Sequence, residues 1–148
     1  MEPSQVRKRI LREHRVLRDQ LLRLESELDA LAKNPQNKQA VIEAARELMV
    51  ELTAHTEVED AILAPALRDI DAWGPVRADM LLDHHREQRQ QLRELLAAYA
   101  HNPNLRQVAR MTMQLIVDVR ADMLHEENTL LANSLLRDDL VAIDMEAG

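Results

Sequence analysis

Apolar residues recur along this chain in steps of three and four, the spacing that buries one face of an α-helix. The first run is Val6, Ile10, His14, Leu17, Leu21, Leu24, Leu28 and Leu31. It predicts a helix from about Ser4, a candidate N-cap, to about Lys33. Asn34-Pro35-Gln36-Asn37 breaks the run, because proline cannot continue a helix and Asn favours turns and caps. A second run, Ala45, Leu48, Leu52, His55, Glu59, Ile62 and Ala66, predicts a helix from about Lys38 to Pro65, with an extra turn to Ile70. Ala72-Trp73-Gly74-Pro75 follows; Pro75 suits a first helical position, and Trp73 is read as a cap over the end of the core. The third run, from about Val76 to Ala100, is Ala78, Leu81, His85, Gln88, Leu92, Leu95 and Tyr99, closed by His101-Asn102-Pro103-Asn104. The fourth, from about Leu105 to Leu136, is Val108, Met111, Leu115, Val119, Asp122, Glu126, Thr129 and Asn133.

Four long amphipathic helices joined by three short turns predict an all-α protein, an antiparallel up-down-up-down four-helix bundle over residues 1–136. Residues 137–148 read as an acidic tail that frays or adds a short helix. The halves also echo each other. His14 with Leu21 matches His85 with Leu92, and Leu48-Leu52-His55-Glu59 matches Leu115-Val119-Asp122-Glu126, which suggests a repeated two-helix unit around a pseudo-two-fold axis.

Composition narrows the class. With 148 residues, two Gly and no Phe, the chain suits one helical domain packed on aliphatic side chains. A formal charge of −7 argues against nucleic acid or an anionic membrane as partner. The basic cluster Arg7, Lys8, Arg9, Arg12, Arg15 and Arg18 reads as a solvated helix face. The absence of cysteine excludes disulfides, thiolate metal sites and a thiol nucleophile. A charged N-terminus without an apolar signal region, and no apolar run of membrane-spanning length, lead us to expect a soluble cytoplasmic protein. A homo-oligomer stays open.

The chemistry lies where polar residues interrupt the inward stripes. His14, His55, His85 and Asp122 each stand about 16 to 20 residues from a turn. At about 1.5 Å per residue that places all four within roughly one helical turn of a common level. Glu59 and Glu126 follow one turn further on, toward the same end. Buried carboxylates without cations lose several kcal/mol each in desolvation. No Lys or Arg shares these stripes, so metal ions are the economical answer. Imidazole and carboxylate without sulfur suit iron, manganese or zinc. Six ligands exceed one four-coordinate zinc, and two metals bridged by Glu59 and Glu126 fit better. His125 borders the stripe, and whether Asp122, directly or through water, or His125 completes the site stays open here.

On Glu13-His14, His55-x-x-x-Glu59-Asp60-x-x-Leu63-x-Pro65, His84-His85 and Glu126-Glu127, the sequence resembles the hemerythrin-like (HHE cation-binding) family from Ile10 to about Leu136. The resemblance implies a four-helix bundle around two iron ions, in preference to manganese or zinc, with an oxo, hydroxo or water bridge. It implies His14, His55, His85 and Asp122 as terminal ligands and Glu59 and Glu126 as bridges. The fourth block departs from the family's His-x-x-x-Glu, since Asp122 stands at the histidine position. Arg89 stands where oxygen carriers have a second histidine in the third helix, so the match to a reversible oxygen carrier is poor. An Asp adds charge and shortens reach, which suggests an under-coordinated metal with an open position for a small ligand.

The remaining candidates read as structural. His84 is assigned to the surface or to a place behind the ligands, His101 to an exposed turn, and Tyr99 to packing some distance from the metals. Met49, Met80, Met111, Met113 and Met123 read as gap-fillers in the core. Glu13, Asp60, Asp83 and Glu127 point off the axis, solvated or behind ligands. The expected function is binding or reduction of dioxygen, nitric oxide or peroxide at a carboxylate-bridged centre. The alternatives are an iron storage, delivery or sensing module without turnover, and a metal-free structural bundle.

Overall fold

The computed structural model describes residues 1–138; the rest of the expected tail, 139–148, lies outside the described residues. Four long helices carry the chain: α1 (Pro3–Lys33), α2 (Lys38–Val58), α4 (Gly74–His101) and α5 (Leu105–Asn128). A π-helical turn (Glu59–Leu63) and a short helix, α3 (Ala64–Arg68), extend α2, and no strand occurs among the described residues. α1 packs against α2 and α5, and α4 against α5, α3 and α2, so the long helices form a four-sided bundle. None of the described helices is long and apolar enough to cross a membrane.

Every position of the α1 and α4 stripes is buried as the spacing predicts. The start of α1 differs. Glu2, not Ser4, is its N-cap, and the Glu2 amide donates to Gln5 Oε1 at 3.1 Å. Ser4 lies inside the first turn, where its amide and hydroxyl donate to Asp138 at 3.0 and 2.8 Å. Asp138 thereby satisfies a helix-start N–H that has no intrahelical partner. Trp73 is 68% exposed and covers no core, and Met80 is 67% exposed and fills no gap.

Two departures reshape the ends of the stripes. Past Glu59 the buried positions are Leu63, Ala64, Leu67 and Ile70 in place of Ile62 and Ala66. The π turn takes up one extra residue and shifts the phase. In the fourth helix the expected run to Leu136 stops at Asn128, and Thr129 and Asn133 are exposed. A longer helix would have pointed those polar side chains inward. Leaving it brings Leu131 and Leu136 under the bundle instead, against Val6, Ile10 and Leu67.

The apolar interior consequently falls into two clusters. One gathers Leu17 to Leu31, Val41 to Leu52, Leu92 to Tyr99 and Val108 to Met123; the other gathers Val6, Ile10, Leu63 to Ile70, Ala78, Leu81, Leu131 and Leu136. His14, His55, Glu59, His85 and Glu126 are buried at sequence positions between the two on every long helix.

Gly74 opens α4 directly against the end of α3. A Cβ there would overlap the carbonyl oxygen of Leu67 and lie 2.8 Å from that of Arg68. Helix propensity alone would make Gly74→Ala stabilising by about 1 kcal/mol. The backbone clash should reverse that sign and destabilise by about 1–3 kcal/mol, read as a lower urea midpoint at unchanged slope.

Candidate metal centre

The site begins with how α2 ends. Pro65 has no N–H to continue the helical ladder. The Ala64 amide instead bonds the Glu59 carbonyl, five residues back. That wider turn holds Glu59 in the core while the adjacent Asp60 reaches α4. The second glutamate shows a similar feature: the Leu131 amide donates to the Glu126 carbonyl at 2.8 Å, again five residues apart, where α5 gives way to turns.

Glu59 is fully buried and lies at the centre. His55 Nε2 is 2.5 Å and His14 Nε2 3.7 Å from its Oε1, and His85 Nε2 is 2.9 Å from its Oε2. Glu126 Oε2 lies 3.3 Å from His14 Nε2. The His14 and His55 rings meet edge-on with centroids 5.0 Å apart. Ligand atoms of His14, His55, Glu59 and Glu126 all fall within 4.8 Å of one another. Three of them, His14 Nε2, Glu59 Oε1 and Glu126 Oε2, are buried, and their close contacts with one another and with His55 Nε2 lack hydrogen-bond alignment. Converging buried polar atoms of this kind call for an occupant. Two imidazoles and two carboxylates fit a divalent first-row metal such as iron, manganese or zinc.

Behind the rings stands a second layer of carboxylates. His14 Nδ1 donates to Glu127 at 2.7 Å, His55 Nδ1 to Glu13 at 2.9 Å, and His85 Nδ1 to Asp60 at 2.5 Å. Each carboxylate is itself held by an arginine: Arg18 on Glu127 and Arg89 on Asp60 at 2.8 Å, Arg9 on Glu13 at 3.2 Å. Such contacts fix the tautomer and aim Nε2 at the metal position. Glu13, Asp60 and Glu127 therefore lie behind the imidazoles, whereas Asp83 is exposed and pairs with Arg86. The sequence signal was adjacency: each acid neighbours an inward His or Glu, and Arg18 and Arg89 stand four residues beyond His14 and His85.

Electrostatics follow from the packing. Burial opposes charge on His14, but contacts with Glu126, Glu59 and Glu127 outweigh it and raise its pKa to about 10. His55 and His85 are raised for the same reason, by Glu59 with Glu13 and by Glu59 with Asp60, against burial. Glu59 is held well below the usual carboxylate range by its three imidazoles despite burial. Glu126 is pushed up to about 7 by burial and by the charge on Glu59.

Of the six residues the sequence singled out, the structure draws His14, His55, Glu59 and Glu126 into one group and joins His85 to it through Glu59. Asp122 is partly exposed, with Oδ2 2.7 Å from His84 Nε2. His125 is exposed. Tyr99 is a packing residue whose hydroxyl meets Thr112 Oγ1 at 2.8 Å. A surface pocket of about 380 Å³, bordered by Arg77, Met80, His84, Asp122 and His125, reaches Glu126.

The family described as Hemerythrin HHE cation binding domain matches residues 6–133 of this chain. Among curated proteins and among solved structures, nothing shows a significant match.

Two outcomes follow from the ring of carboxylates and the trapped protons. Groups with raised pKa hold protons near pH 7, and a metal must expel them. Affinity for iron or manganese should therefore rise with pH from about 7 toward about 10, with proton release measurable by calorimetry in buffers of different ionisation enthalpy. Glu127→Gln should weaken metal binding about 10–100-fold while leaving the helical circular dichroism unchanged.

Proposed function

The chain belongs to the hemerythrin HHE cation-binding family, and from that membership we propose that it is a non-haem di-iron protein that binds or reduces dioxygen, nitric oxide or peroxide. The observation that carries this reading is the buried group of His14, His55, Glu59 and Glu126, three of whose ligand atoms lack an aligned hydrogen bond. Iron, when bound, supplies the redox and ligand-binding chemistry. Glu59 and Glu126 are the bridging carboxylates in this reading, and His14, His55 and His85 are terminal ligands. The layer of Glu13, Asp60 and Glu127 holds the rings so that little reorganisation accompanies ligand exchange.

Access favours a small ligand. The 380 Å³ pocket touches Glu126 from the side of Asp122 and His84, whereas His14 and Glu59 are shut from solvent. We also read the bundle as antiparallel, because connections as short as Pro35–Asn37 return the chain to a neighbouring position.

The test is metal analysis followed by turnover. Protein purified without chelator should carry roughly two iron per chain. After anaerobic loading, repeated cycles of oxidation by dioxygen or peroxide and re-reduction should leave the iron in place. One oxidation followed by slow loss to a chelator would instead point to iron handling, and absence of stoichiometric metal would end both readings.

A further inference from the structure

The positions that echo each other in the two halves of the sequence also make corresponding contacts. Asp60 holding His85, backed by Arg89, repeats Glu127 holding His14, backed by Arg18. Glu13 against His55 is repeated by His84 against Asp122, with acid and imidazole exchanged. Leu17, an apolar core residue, is repeated by Gln88.

Gln88 is out of keeping with an apolar position. It is only 8% exposed, and its Oε1 is buried without a hydrogen bond. A buried amide oxygen left in that state is destabilising. Beside it lies a cavity of about 10 Å³ whose lining includes Glu59, His85, Gln88, Asp122 and Glu126. That is room for one water-sized occupant, and five oxygen-bearing side chains, Thr56 among them, and the imidazoles of His55, His84 and His85 line it. Among these lining residues, Asp122 Oδ2 lies 2.7 Å from His84 Nε2.

We propose that Gln88 is a metal ligand: with His85, Asp122 and the carboxylates of Glu59 and Glu126 it completes the second of the two metal positions proposed above, its amide oxygen standing where the other half has the apolar Leu17. This rests on the metal-binding reading above. The two positions are then unequal. The first, with two imidazoles, suits borderline metals; the second, with one imidazole, carboxylates and an amide oxygen, suits harder ions such as manganese(II) or iron(III). His84 acts through Asp122 as a positioning residue.

The experiment is anaerobic titration of the metal-free full chain with manganese(II), followed by calorimetry and by the electron paramagnetic resonance of free ion. Wild type should bind in two steps. Gln88→Leu, which installs the residue type that Leu17 already provides in the other half, should leave one step unchanged and weaken the other at least about tenfold. Gln88→Glu, which preserves the oxygen donor, should retain both, and circular dichroism should show both variants folded. A Gln88→Leu titration identical to wild type overturns Gln88 as a ligand and leaves the two-metal reading standing, whereas a single metal per chain in wild type overturns both. No binding of manganese or iron by wild type would overturn the metal reading itself.

Discussion

A carboxylate with no access to water sits at the middle of an aliphatic bundle, and the rest of the structure accommodates it. Removing Glu59 from solvent in isolation would be penalised by several kcal/mol. Three imidazoles answer it directly, at 2.5 to 3.7 Å. Those imidazoles in turn need orientation, which Glu13, Asp60 and Glu127 supply. The outer acids are then balanced by Arg9, Arg89 and Arg18 toward the surface. Charge alternates in shells from the axis outward, and each shell makes the previous one tolerable. Such an arrangement is rigid because every member's orientation depends on its neighbours.

Backbone irregularity serves the same end. After both Glu59 and Glu126 an amide bonds back five residues, to the glutamate's own carbonyl. In the first half the helix resumes as α3; in the second it gives way to turns that carry Leu131 and Leu136 beneath the bundle. Widened turns of this type are commonly found at functional sites, where they re-aim a side chain without ending the local fold. Here they allow adjacent acids to serve different partners. Glu59 faces the axis while Asp60 reaches His85, and Glu126 faces the axis while Glu127 reaches His14.

The halves are related but chemically unequal. One side of the layer, at His14 and His55, is closed. The other carries Asp122, His84 and Gln88 and adjoins the pocket that opens to solvent. A bundle with identical halves would present two similar ligand environments. The exchange of acid and imidazole across α4 and α5 places Asp122 and Gln88 on the side that adjoins the pocket.

Local periodicity alone determined much of this protein. The stripes of α1 and α4 are buried at every expected position, and counting residues from the turns was enough to place His14, His55 and His85 at one level. Repeat spacing is a property of neighbouring residues and survives without knowledge of the fold. Tertiary structure decided whatever depended on a partner far along the chain or on a break in the period. The π turn moved burial from Ile62 and Ala66 to Leu63 and Leu67, a one-residue phase change that a regular helical repeat does not anticipate. Residues of the closing turns, Leu131 and Leu136, displaced Thr129 and Asn133 from the core, and Asp122 lies against His84 at the edge of the cluster. The contacts of Glu127 with His14 and Arg18, more than a hundred residues away, could be read only once α1 and α5 lay side by side. Apolar spacing sets which face turns inward, but the orientation of a charged side chain is set by the particular opposite charge the fold brings to it.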